Sequence, residues 1–303
     1  MKNFKEIVAK AKSAAYKPRI IVPCPYDKNV LKALYMIQSE NIGDVILVGD
    51  KEKVDSINQE FDINIAPAKF VEAASDNEAL TEAYNIMLRN EADIIMKGLV
   101  QTKDFMKVIL SNKSFIKSKL LTHCSIYEIS SIKRLLFVTD PSIIVEPTVE
   151  QKIIILNNAI DLLKSMEVEA PKIAIISSTE LINAQIKSSV DADYLMNVQK
   201  ENNCWDADIY GPLAIDNAIS KEAAELKKIN STVAGNADLL LMPNLDCGNI
   251  FCKGLTYIAG FESAGIVMGA HKPIVLTSRS ASPKEKFNSL AIACIIAQKN
   301  NTI

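Results

Sequence analysis

The 303-residue chain lacks the glycine-rich sequences that cradle nucleotide phosphates. No G-x-x-x-x-G-K-[ST] run occurs and no G-x-G-x-x-G follows a strand-like segment, which excludes a P-loop NTPase and an ordinary dinucleotide-binding Rossmann domain. A G-x-S-x-G nucleophile elbow is missing too. The six cysteines, Cys24, Cys124, Cys204, Cys247, Cys252 and Cys294, include no C-x-x-C pair, so free thiols are expected. Histidine is limited to His123 and His271, too far apart in sequence to suggest a metal site or Cys–His catalysis, and no metal is expected. The single tryptophan, Trp205, reads as a core or interface residue. A net charge of −2 brings no basic excess for nucleic acid and no acidic or basic tail. The opening Met-Lys-Asn-Phe-Lys-Glu has no apolar signal-peptide core. The longest weakly polar stretch, Leu255 to Ala270, is broken by Glu262 and too short to span a bilayer. A cytoplasmic protein without membrane or nucleic-acid partners is the expectation.

What is present is a regular alternation. Strand-like apolar runs fall at Arg19–Pro23, Asp44–Gly49, Asp93–Lys97, Leu135–Thr139, Lys172–Ser177, Asp238–Met242 and Pro273–Thr277. Segments of helical period lie between them at Val30–Ser39, Glu78–Arg89, Phe105–Leu110, Val149–Met166 and Ser220–Lys227. Short unalternating apolar runs separated by helices predict parallel strands covered on both faces, hence an α/β fold. Length suggests two domains. A last helix, Lys284–Lys299, carries Phe287, Leu290, Ala291, Cys294 and Ile295 on one stripe, a core face.

Arginine is scarce: only Arg19, Arg89, Arg134 and Arg279 stand among 34 cationic side chains. Arg279 follows Ser278 where the apolar run Pro273–Thr277 stops. A planar, permanently charged fork at a strand end suits an oxyanion, although an arginine paired with a nearby carboxylate would look the same in sequence. Turn-rich segments occupy the second half: Asp208–Ala218, Ala234–Asp238 and Asp246–Lys253. Gly248 and Asn249, read as the entry to a helix, could turn backbone N–H groups toward an anion, or simply cap the helix. Arg134 at a strand start reads as structural, and Asp216 as a helix-entry cap.

Four segments in order are G-P-L-x-x-D-x-A from Gly211, A-G-x-A-D from Ala234, P-x-x-x-x-G-N-x-x-x-K from Pro243 and K-P-[IV]-x-L-[ST]-S-R from Lys272. Together they resemble the phosphate acetyl/butyryl transferase family, over a stretch from about Asp93 to Ala297. Gly211–Ser220, Ala264–Ala270 and Leu276-Thr277-Ser278-Arg279 are closer to its butyryl branch. The resemblance implies two α/β domains with mainly parallel sheets, like those of isocitrate and isopropylmalate dehydrogenases, and an active site in the interdomain cleft. Residues 1–127 with 266–303 would form the first domain and 128–265 the second. It also implies the reaction acyl-CoA + phosphate ⇌ acyl phosphate + CoA in a ternary complex, without metal or other cofactor, in a homo-oligomer. Butyryl-CoA is the expected substrate, with acetyl or broader short and branched acyl groups as the alternative.

By the same resemblance Arg279 would hold phosphate and Ser278 would donate toward the developing charge or the sulfur. Glu285 would act as the base, on a longer arm than the aspartate usual in the acetyl enzymes. Gly248, Asn249 and Lys253 would shape the phosphate and CoA site. Lys97, at a strand end, is a candidate second anion contact, and His123 and Ser125 are candidates to face the same site. Glu285 could equally serve the dipole of the last helix. Two other readings stay open: a metal- or NAD-dependent dehydrogenase on the same fold, and a non-catalytic acyl-CoA-binding protein.

Overall fold

The computed structural model describes residues 1–301. Its first elements are α1 (Phe4–Ser13), β1 (Arg19–Pro23), α2 (Lys28–Ser39), β2 (Asp44–Gly49), α3 (Lys51–Phe61), β3 (Lys69–Glu72), α4 (Asp76–Leu88), β4 (Ile94–Met96) and α5 (Thr102–Ile109). The middle of the chain adds β5 (Thr122–Ile129), β6 (Arg134–Thr139), α6 (Val149–Ser165), β7 (Lys172–Ile176), α7 (Lys187–Asn202) and β8 (Asp208–Leu213). Next come α8 (Ile215–Ile219), α9 (Lys221–Leu226), β9 (Leu239–Leu241) and α10 (Leu245–Lys253). The last elements are β10 (Ser263–Met268), β11 (Ile274–Val275) and α11 (Pro283–Asn300). Two compact units divide the chain, one of residues 4–117 and 264–303, the other of residues 1–3 and 118–263.

In the unit of residues 4–117 and 264–303 the strand order is β3-β2-β1-β4-β11-β10. The first five are parallel and β10 runs antiparallel to β11. Ile20, Ile21 and Val22 of β1, Val45 to Val48 of β2 and all of β4 are buried, so the runs show no polar alternation because neither face meets water. The chain moves outward from β1 to β2 and β3, then returns through α4 to place β4 on the other side of β1. Strand order therefore reverses between β1 and β4, and an open α/β sheet leaves a crevice at the carboxyl ends of such a pair. Helix α11 packs on α1 and α2, and buries Phe287, Leu290, Ala291, Cys294 and Ile295 as the stripe predicts.

The other unit orders its strands β5-β6-β9-β7-β8, with β5 antiparallel to β6 and the rest parallel. Its core gathers Leu136, Val138, Ala174, Leu213, Ala237 and Leu240. Helix α6 begins with a reciprocal cap between Thr148 and Gln151. Strand β5 pairs with β6 from Cys124↔Thr139 to Ile129↔Arg134. Residues 118–127 thus belong with this unit, and its boundary lies at 117/118 where the sequence suggested 127/128. Asp208–Leu213, expected as a turn, is a strand at the edge of the order, where Pro212 removes no central ladder bond. No helix among the described residues is long and apolar enough to cross a membrane.

Candidate active site

The carboxyl ends of β1, β4 and β11 meet at a tight crossing. After β4 the chain turns at Gly98, where an added Cβ would lie 2.1 Å from the Pro23 carbonyl oxygen and 2.3 Å from that of Cys24. Only hydrogen fits there, which lets Leu99 N–H reach the Cys24 carbonyl at 2.8 Å. Lys97, one residue earlier, donates its backbone N–H to the Val275 carbonyl at 3.0 Å and so ties the end of β4 to β11. Its side chain is buried, with Nζ donating to the carbonyls of Gly98 and Val100, each at 3.1 Å. The strand-end lysine singled out as a candidate anion contact is thus an interior cation. Burial above all, then the nearby charges of Lys286 and Arg279, pushes the Lys97 ammonium down to about 8, against an upward pull from Asp27.

Strand β11 covers only Ile274–Val275, and the residues after it turn away from the sheet. Ser278 closes that turn. Its carbonyl accepts from Ala281 N–H at 3.1 Å, and its Oγ lies 3.0 Å from the Ser280 hydroxyl. Ser282 then caps α11, accepting from Glu285 N–H at 3.0 Å, with Pro283 in the first turn. Glu285 sits in that first turn, where a carboxylate is favoured by the helix dipole, and its charge also favours the protonated form of Lys286.

Three of the four arginines are committed elsewhere. Arg19 holds Asp93 and the Asn90 carbonyl, Arg89 holds Glu82 and Glu91, and Arg134 bonds the Ala237 carbonyl beside Asp238. Arg279 is different: among the described residues it makes no hydrogen bond and no ion pair. It is exposed and lines a cavity of about 390 Å³ with Asp76, Leu80, Leu99, Val100, Gln101 and Asp104. The carboxylate partner that would have made it structural is not there.

Sequence reasoning missed one member of this group, Lys286. It is buried, with Nζ donating to the Thr277 hydroxyl at 3.1 Å and the Ser278 carbonyl at 3.0 Å. Burial lowers its pKa while Asp27 and Glu285 pull it up. The run Lys284-Glu285-Lys286 read as a charged helix opening, yet Lys286 stands four residues before Leu290 and eight before Cys294. That spacing puts it on the buried stripe, which was the available signal. Asp27 completes the local charges. It caps α2 by accepting from Asn29 and Val30 N–H, each at 2.9 Å, while Asn29 Nδ2 reaches the Ala281 carbonyl at 3.3 Å.

The remaining predicted residues lie in the unit of residues 118–263, and most of them support the loop after β6. Buried His123 donates its backbone N–H to Asp140 Oδ2 at 2.9 Å, and Ser142 and Ile143 donate theirs to Asp140 Oδ1, each at 2.8 Å. Asn249 Nδ2 donates to the Pro141 carbonyl at 3.2 Å. Gly248 and Asn249 do not lead into a helix: they lie inside α10, which Asn244 caps. Gly248 N–H bonds the Asn244 carbonyl at 3.1 Å and so is not turned toward an anion. The glycine is needed for packing, since a Cβ would meet Pro141 Cα at 2.9 Å. Ser125 is half-buried and near Cys252, whose thiol burial pushes up to about 11. Lys253 is exposed at the end of α10, with its ammonium 5.3 Å from the centre of the Tyr257 ring. Asp216 does not cap a helix but pairs with Lys227 at 2.9 Å. No cluster of three or more His, Cys, Asp or Glu side chains that could hold a metal occurs among the described residues.

Comparison with known proteins connects this geometry to a family. A family model described as phosphate acetyl/butaryl transferase matches residues 3–89 and 76–294. A phosphate butyryltransferase of Clostridium acetobutylicum is 35% identical over 298 residues, covering 98% of this chain and 99% of that protein. Among solved structures, a branched-chain phosphotransacylase from Enterococcus faecalis superposes with a TM-score of 0.79 at 26% identity, over 93% of this chain and 98% of its own. In fold alone, a 4-hydroxythreonine-4-phosphate dehydrogenase from Klebsiella pneumoniae is similar, with a TM-score of 0.56 at 10% identity over 93% of this chain and all of its own. The chain belongs to the phosphate acetyl/butyryl transferase family.

Proposed function

We propose that the protein is a phosphate acyltransferase that interconverts acyl-CoA plus phosphate with acyl phosphate plus CoA, acting on butyryl or a similarly short or branched acyl group. The observation that carries this reading is Arg279, the one arginine without a partner among the described residues, beside a cavity and close to two buried lysines. A guanidinium left free presents two parallel donors to a phosphate. Lys97 uses two of its three ammonium donors on carbonyls, and the third is left for a phosphate oxygen.

Phosphate held in this way is placed for attack on the thioester carbonyl, and orienting two bound reactants is worth about 7–11 kcal/mol of barrier. A phosphate oxygen forms the new C–O bond and the carbonyl oxygen becomes an oxyanion that accepts a hydrogen bond from Ser278 Oγ. Collapse re-forms the carbonyl and breaks the C–S bond, and the electron pair leaves on sulfur. The proton lost by the phosphate hydroxyl ends on the thiol, with Glu285 as its carrier; in the reverse direction Glu285 removes it from CoA. His123, Ser125, Gly248, Asn249 and Lys253 act less directly in this reading. His123, Gly248 and Asn249 maintain the 140–143 loop, Ser125 on β5 lies beside Cys252, and Lys253 supplies positive charge for the anionic groups of CoA. No metal or organic cofactor enters the cycle, in which CoA is a substrate. We further propose a cytoplasmic homo-oligomer.

The test is direct. Purified protein given butyryl-CoA and phosphate should release free thiol, followed with a thiol-reactive dye, at equal rates with and without EDTA. Absence of release across acetyl-, butyryl-, isobutyryl- and longer-chain CoA esters would overturn the assignment. The order of kcat/KM across the same panel gives the acyl preference.

A further inference from the structure

We infer that Lys286 is a positioning residue, which fixes the peptide that presents Ser278 and Arg279 and adds a buried positive charge to the phosphate site. The inference rests on the acyltransferase reading and names the part of it that neither sequence motif nor family resemblance supplied. Lys286 Nζ bonds the Thr277 hydroxyl at 3.1 Å and the Ser278 carbonyl at 3.0 Å. The Ser278 carbonyl and the Arg279 N–H belong to one planar peptide unit. Holding that oxygen therefore fixes the orientation of the plane from which the Arg279 side chain departs. The same oxygen also accepts from Ala281 N–H at 3.1 Å, so two donors lock the plane.

Packing alone does not account for this side chain. The site is only 3% exposed, and no carboxylate lies within ion-pair distance of the ammonium among the described residues. A buried charge without a paired carboxylate is unfavourable, and an apolar side chain of similar length would fill the space at less cost. Asp27 and Glu285 moderate the charge from farther away, and the charges of Lys286 and Arg279 in turn bear on Lys97. The result is a cluster of three cations, two of them buried, with no carboxylate in ion-pair contact among the described residues; Asp27, Glu285 and, beside Arg279, Asp76 and Asp104 lie farther off. Two of the three ammonium donors of Lys286 are occupied by protein oxygens, so its main action runs through the 277–279 backbone.

Two variants and two readouts test this. In Lys286→Met the plane loses one of its two locks and the cluster loses a charge. The expected result is a rise of about 10- to 100-fold in KM for phosphate, the loss expected for a hydrogen bond to a charged group. KM for butyryl-CoA should stay within about twofold, since the loss is placed on the phosphate side. Thr277→Val leaves the charge and removes one acceptor, and should raise the same KM by a smaller factor. Titration calorimetry with inorganic phosphate, in the absence of acyl-CoA, should show the same ranking of affinities. Active wild type with Lys286→Met unchanged in phosphate KM and phosphate affinity overturns the inference, as does an equal rise of both KM values in a variant with a lowered Tm. If the wild type binds phosphate but turns over no acyl-CoA, the acyltransferase reading fails and calorimetry still decides Lys286. If it neither binds phosphate nor turns over, both fall.

Discussion

Replacing Arg279 by lysine keeps the charge and removes the fork. A bidentate guanidinium–phosphate contact supplies two charge-assisted hydrogen bonds in one plane, whereas an ammonium at the end of a flexible stem supplies one. A hydrogen bond to a charged group is worth about 1.5–3 kcal/mol. Its loss should therefore raise KM for phosphate by about 10- to 150-fold. The fold should be indifferent. Arg279 is exposed and has no hydrogen-bond or ion-pair partner among the described residues, so the change in unfolding free energy should lie within about 0.5 kcal/mol, the range of surface substitutions. Initial rates with phosphate varied at saturating butyryl-CoA measure the first quantity, and urea unfolding measures the second. The other arginines provide the control: Arg19→Lys disturbs an ion pair with Asp93 and should leave phosphate KM unchanged. An Arg279→Lys enzyme with wild-type phosphate KM would remove Arg279 from the phosphate site and with it the observation on which the functional reading rests.

Three further outcomes follow from the same geometry. Lys97 has a folded pKa of about 8, below the usual 10.5, so between those values the unfolded chain binds more protons and stability should rise with pH. Below about 8 both states are protonated and the full cost of burying the charge is present. Thermal melts from pH 7 to 10 should show the stability of the wild type rising relative to that of Lys97→Met, other buried lysines and thiols contributing equally to both, while phosphate affinity of the wild type should fall as pH passes through about 8; a phosphate affinity independent of pH there would remove Lys97 as a ligand. Gly98→Ala would drive a methyl group into two backbone oxygens, and urea unfolding should show a loss of about 3 kcal/mol or more, whereas a neutral result would mean that the crossing of β1 and β4 relaxes freely. Glu285→Gln keeps a helix-compatible side chain and loses the proton carrier, so kcat should fall by about 10²- to 10⁴-fold with little change in either KM; wild-type kcat would leave Glu285 with its role at the helix dipole alone.

The fold was legible where physics acts locally. Strands buried on both faces, such as β1, β2 and β4, announce themselves as short runs without polar interruption, and α6 and α11 by helical spacing. Elements whose environment is asymmetric were harder to read. Strand β8 contains Gly211-Pro212, which signals a turn until its position at the sheet edge is known. Strand β5 carries Thr122, His123, Ser125 and Glu128, because an antiparallel pairing with β6 leaves Ser125 and Glu128 only half-buried. Gly248 looked like a loop glycine, and its reason, the close approach of α10 to Pro141, is a tertiary contact that no local pattern contains.

For the site, sequence could locate Arg279 but could not tell a free guanidinium from a paired one, since that depends on what lies across the crevice. The structure answers by accounting for the other three arginines in ion pairs and backbone bonds. The lysines show the opposite problem. Lys97 and Lys286 belong to the commonest cation of the chain, one that normally covers a surface, and nothing in their identity distinguishes them. Their burial does. An ammonium in the interior with two carbonyl or hydroxyl partners and no carboxylate is only partly compensated, and two such groups beside one arginine repel one another. Phosphate binding would relieve that repulsion, because the dianion brings negative charge closer to the three cations than Asp27 and Glu285 stand. The cost of burying two ammonium groups side by side and the proposed affinity for phosphate would then have one cause. A variant that lowers the repulsion, such as Lys286→Met, should weaken phosphate binding without weakening the fold in proportion, and that separation is what distinguishes a site built for an anion from a core that happens to contain lysine.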